Sequence, residues 1–120
     1  MTTTDRITPA VRRYHRAATS IADGTRAFAV ELVGNAARHA RNAAIDARDA
    51  DDFNLMTYQM GACDALAVIL ATIGEDGVEG GRTAAKDIAD HTAGAESHDL
   101  RTIGAHNAAA NAIDSLSLFR

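Results

Sequence analysis

The 120-residue chain has no tryptophan, one cysteine, one proline, one lysine, and only five Phe and Tyr residues. Each shortage removes a class of explanation. A lone cysteine, Cys63, excludes an intramolecular disulfide, and its place in the most hydrophobic stretch reads as a small core residue in a reducing cytoplasm. No Pro- or Ser-rich linker divides a length close to that of an ordinary domain, so one α-helical domain over residues 1–120 is expected. The longest uncharged apolar run, 65–73, is too short to span a bilayer, and the first residues contain no signal-like apolar core. Neither membrane insertion nor secretion is expected. No alternating strand pattern and no internal repeat appears.

What the chain has instead is alanine, at 27 positions, or about half of its hydrophobic residues. Alanine favours helix strongly but buries little surface. The core must therefore come from eight Ile, seven Leu and five Val with a few Met and Phe, while alanines let helices approach closely.

The net charge of −4 hides a division. Residues 1–50 carry eight Arg against five acids, whereas residues 51–120 carry four bases against eleven acids. Direct nucleic-acid binding is disfavoured by that balance. The acidic part suits a basic protein partner, and the two parts together suit association of unlike halves of two copies.

Periodicity predicts an all-α bundle of four to five helices. Thr8 and Pro9 have the grammar of a helix start, and a first helix runs to about 22, where Asp23-Gly24-Thr25 offers a break, the alternative being a helix that continues through it. A second helix over 25–50 ends in an alanine seam, 36–47. A central helix is expected at about 53–74, capped by Asp51 or Asp52, with a narrow polar strip of Thr57, Gly61, Asp64 and Thr72. Four glycines within 74–81 read as a loop. A short helix over 82–93 then stops at Gly94, and a last helix over 98–118 begins after Ser97 as cap.

Chemical motifs are few. Ser97-His98-Asp99-Leu100-Arg101-Thr102 resembles the phosphoacceptor H-box of sensor histidine kinases, although Ile103 stands where that family has proline. The resemblance implies phosphotransfer through His98 with Asp99 assisting. Arg101 and His106 have the Arg-x4-His spacing of the HEPN ribonucleases, which they resemble in this alone. His91 and Asp87 make an i,i+4 pair on one helix, but the Glu-x-x-His motifs of a di-iron bundle are missing, so no metal or other cofactor is expected. The glycine run at 77–81 lacks the spacing and lysine of a phosphate loop and has Glu75, Asp76 and Glu79 around it.

The reading that follows is a small non-enzymatic protein-interaction module, of the acidic inhibitor or adaptor type seen among phage and mobile-element proteins. It works in the cytoplasm and forms a homo-oligomer. Glu75, Asp76, Glu79, Asp87, Asp90, Glu96 and Asp99 would face a basic partner such as a nucleic-acid-binding protein. Arg12, Arg13 and Arg16 form a second, basic candidate surface. The alternatives are a subunit of a symmetric helical assembly and phosphotransfer through His98.

Overall fold

The computed structural model describes the backbone of residues 9–119 and the side chains of residues 24–119. Three helices, α1 (Pro9–Asp49), α2 (Phe53–Thr92) and α3 (Leu100–Leu116), account for nearly all of it, with no strand among the described residues. The all-helical class is as expected, but the count of four to five helices is not. Thr8, the expected first cap, lies outside the described residues.

Of the two expected breaks, one does not interrupt its helix and the other narrows to a single residue. Gly24 lies inside α1, where a single glycine costs about 1 kcal/mol relative to alanine. Ending the helix there would orphan eight backbone groups, a larger penalty. In the glycine-rich stretch 74–81, only Gly77 leaves helical geometry, with φ 81° and ψ −171°. That conformation is essentially confined to glycine. The separate helix expected over 82–93 is therefore the second arm of α2.

The two arms, 53–76 and 78–92, fold against each other. In a straight helix residues eight apart are about 12 Å apart along the axis. Here a Cβ built on Gly80 would stand 3.4 Å from Thr72 Cγ2, and one on Gly81 would stand 3.1 Å from Ile73 Cδ1 and 3.4 Å from Leu116 Cδ1. Gly77 thus acts as a one-residue turn between two packed helical arms.

The first arm is central, as its apolar composition predicts. Both α1 and α3 pack against α2. Val33 and Ala40 of α1, Leu66, Ile69 and Ile73 of α2, and Ala109, Ala112 and Leu116 of α3 form one buried cluster. By length and composition α2 is also the one helix among the described residues that could cross a membrane, with 33% of that window buried in this fold. Its 41 residues make α1 about 61 Å long, which gives the molecule its extents of 70 × 28 × 21 Å.

The polar strip of α2 does not face outward throughout. Gly61 sits under the backbone of Arg101, and Gly104 sits under the backbone of Tyr58, so α2 and α3 cross with their main chains in near contact. Asp64 on the same strip accepts a hydrogen bond from Arg101 Nε at 3.1 Å.

Local signals set the ends of the elements. Asp52 caps α2 by accepting from Leu55 N at 3.1 Å, one of the two expected capping residues. Gly94, at φ 77°, follows the end of α2. The cap of α3 is Asp99 rather than Ser97, and the helix starts at Leu100. Asp99 accepts from Thr102 Oγ1 at 2.7 Å and from Thr102 N at 3.3 Å. Threonine at the third helical position supplies both donors, which serine at 97 is too far back to use.

The Thr102 hydroxyl, and then its backbone N–H, hold the Asp99 carboxyl below the ordinary aspartate value of 3.8. A group with a lowered folded pKa stabilises the fold above its unfolded value and loses that contribution as pH falls through the folded one. Amide exchange at Thr102, corrected for intrinsic rate, is therefore expected to accelerate as pH drops below 3.8. Asp99→Ala should show the faster rate already at neutral pH. Equal protection in both proteins across that range would refute the cap.

Candidate functional site

All seven acids singled out from the sequence are exposed. Glu75 and Asp76 immediately precede the Gly77 turn, and Glu79, Asp87 and Asp90 lie on the second arm. At 100° per residue these last three fall within about 80° of one another, opposite the buried Gly81 and Ala85. Glu96 and Asp99 lie in the turn that leads into α3. Carboxylates thus line the arm and both of its ends.

Only two cations, Arg82 and Lys86, occur between 75 and 99, which leaves a formal charge of −5 for that stretch. Both are engaged. Arg82 donates through Nε to Leu116 O at 3.0 Å and also bonds Phe119 O, satisfying carbonyls at the end of α3. Its Nη1 reaches Glu79 at 2.9 Å. Lys86 pairs with Asp90 at 3.2 Å across one helical turn, an exposed i,i+4 contact worth a few tenths of a kcal/mol.

The expected basic surface falls on α1. The side chains of Arg12, Arg13 and Arg16 lie outside the described residues. Farther along, Arg26, Arg38, Arg41 and Arg48 are all exposed. The division of charge seen in the sequence becomes a basic α1 and an acidic second arm of α2.

The residues considered for catalysis have other partners. His98 is exposed in the turn before α3, 3.4 Å from Glu96 Oε2. The carboxylate of Asp99 is committed to the cap. Arg101 is held by Asp64, while His106 bonds Ala89 O at 3.1 Å and Thr92 Oγ1 at 3.0 Å. The Arg-x4-His pair thus joins α3 to two different arms of α2. His91 Nδ1 contacts the backbone oxygen of Asp87 at 2.8 Å, not its carboxylate. No group of three or more His, Cys, Asp or Glu gathers at metal-binding distance among the described residues.

One concave feature escaped sequence reading. α1 and the end of α3 come together where Phe28 meets Phe119, just past α3, with ring centroids 5.7 Å apart and a tilt of 59°. Farther along they flank a cleft of about 300 Å³ floored by α2. Ala36 and Ala40 on α1 face Ala108 and Ala112 on α3 across it. The alanine seam of α1 therefore confronts these alanines of α3 over α2. Asn107 and Asn111 also line the cleft, and Asn107 Nδ2 donates to Tyr58 Oη at 2.9 Å. Among the described residues, no carboxylate, lysine, arginine or histidine lines it. The only advance signal was the alternation of Ala and Asn along 105–112, which also fits an ordinary helix with one solvated side.

No protein-family model matches this chain, and no curated protein or solved structure shows significant similarity to it.

Proposed function

We propose that this chain is a non-enzymatic protein-interaction module of the acidic inhibitor or adaptor type, which binds a basic macromolecular partner. The observation that supports this reading is the stretch 75–99, where seven exposed carboxylates outnumber two cations that are already paired. The second arm is held to the rest of the fold through Gly81, Ala85 and Arg82. The carboxylates are thus presented on a rigid support, which reduces the ordering cost of binding. A dense field of one sign also accelerates encounter with an oppositely charged surface. Nucleic-acid-binding proteins offer such a surface.

The test is recovery of a tagged copy from its native host at low and at moderate salt. A stoichiometric basic partner, retained at low salt and lost at moderate salt, is expected because exposed charge pairs are screened within about 10 Å at 0.1 M. Reversing Glu79, Asp87 and Asp90 to lysine should weaken the interaction at least ~10-fold. Binding indifferent to both salt and charge reversal would overturn the acidic docking face.

A further inference from the structure

The cleft between α1 and α3 has two unlike walls. On the α1 side Leu32, Ala36 and Ala40 recur every four residues and carry no hydrogen-bonding side chain. On the α3 side Asn107, Asn111 and Ser115 recur at the same spacing, which lays three uncharged polar groups in a row along one helix face. Tyr58 and Gln59 add a hydroxyl and a third carboxamide from the floor, beside Ala62 and Leu66.

Much of this polar row has no partner within the protein. Asn107 Nδ2 donates to Tyr58 Oη, which leaves Asn107 Oδ1 and the phenolic proton of Tyr58 for another group. Among the described residues, the side chains of Gln59, Asn111 and Ser115 make no hydrogen bond.

We infer that the cleft is a binding site for a small neutral planar amide, a ring with a carboxamide or lactam edge. Its volume of about 300 Å³ stands at the lower end of the range for small-molecule pockets, which suits a single ring system. With no charged side chain among the described lining residues, an ionic ligand would lose its hydration and find no counter-ion. A carboxamide offers a donor and an acceptor together, and an amide edge satisfies both through its own oxygen and N–H. The ring then lies against the methyl groups of Ala36 and Ala40 on the opposite wall. A purely apolar ligand would leave the α3 row dehydrated and unpaired, which costs affinity. None of the seven acids on the second arm and its ends lines the cleft, so this is a separate site from the acidic face.

The test uses benzamide as the probe, titrated into the isotope-labelled full chain and followed by NMR through side-chain NH2 and backbone amide signals. Saturable shifts confined to Gln59, Asn107, Asn111 and their neighbours in the cleft are expected, with a Kd at or below about 1 mM for a ligand of this size. Benzoate, which has the same ring but a charge, should bind at least ~10-fold more weakly. Two exposed positions separate the contributions of the walls. Asn111→Leu removes one carboxamide and should weaken benzamide about 5-fold while leaving benzoate little changed. Ala36→Leu fills the slot and should abolish binding of both, with helical circular dichroism kept in each variant. No saturation by about 10 mM benzamide, benzoate bound as tightly as benzamide, or an affinity unmoved by both substitutions would overturn the inference.

Discussion

Gly104→Ala is expected to cost about 3 kcal/mol or more, at the upper end of what overpacking normally costs, and to lower the unfolding midpoint by roughly 12 °C or more for a domain of this size. The reason is the kind of atom the new methyl meets. A Cβ on Gly104 would overlap the carbonyl oxygen of Tyr58 and stand 2.9 Å from its carbon. On the facing helix, a Cβ on Gly61 would overlap the carbonyl oxygen of Arg101 and stand 2.7 Å from its carbon. Flexible side chains move aside cheaply, but hydrogen-bonded helix backbone does not. The methyl can be admitted only if α3 lifts from α2, which also strains the Arg101–Asp64 pair and the Asn107–Tyr58 hydrogen bond. Gly61→Ala should have a similar effect from the other side. Because both substitutions break one crossing, the double variant should lose less than the sum of the singles. Thermal melts followed by circular dichroism would check this. Two single variants melting within about 2 °C of the wild type, a shift worth only a few tenths of a kcal/mol, would rule out the backbone crossing.

At Gly77 a change to alanine should act on shape as well as stability. Its φ of 81° and ψ of −171° place it where a Cβ costs roughly 1 to 3 kcal/mol. Alanine also favours the competing straight helix by about 1 kcal/mol over glycine. Both effects push α2 towards a continuous rod of 40 residues. Straightening would pull the second arm from the first and separate Gly81 from Ile73. Gly77→Ala is therefore expected to unfold at lower temperature and to populate a longer species, with a radius of gyration above 19.1 Å by small-angle scattering. Where the released arm finds a second chain, an exchanged dimer follows. Gly74→Ala is the control. Three residues away, it is helical and has nothing within 4 Å of its Cβ position, so alanine there should stabilise by about 0.5 to 1 kcal/mol. Opposite signs at these neighbouring glycines would establish Gly77 as the turn. An unchanged radius and melting point for Gly77→Ala would remove it.

The candidate surfaces divide by the same distinction between local and long-range information. Exposure of the seven acids was legible because five lie outside the apolar periodicity of α2 and the other two, Glu96 and Asp99, lie in the turn that follows it. Their presentation along one arm was not, since it requires the stretch 74–81 to turn at a single residue. The cleft between α1 and α3 depends on which helices stand next to one another. Likewise, Asp64 read as a solvated acid from its own helix. Its partner, Arg101, lies 37 positions away.

By itself the sequence determined helix content, most of the buried faces, and the ends marked by Asp52 and Gly94, because capping and three-to-four-residue periodicity act within a few residues. The structure alone decided which glycine turns the chain and which strip of α2 receives α3. Gly24, Gly74 and Gly77 have similar local propensity, so what distinguishes them is the long-range packing each conformation permits. The strip containing Gly61 looked polar because it carries no bulk. That same lack of bulk lets the backbone of α3 come down on it.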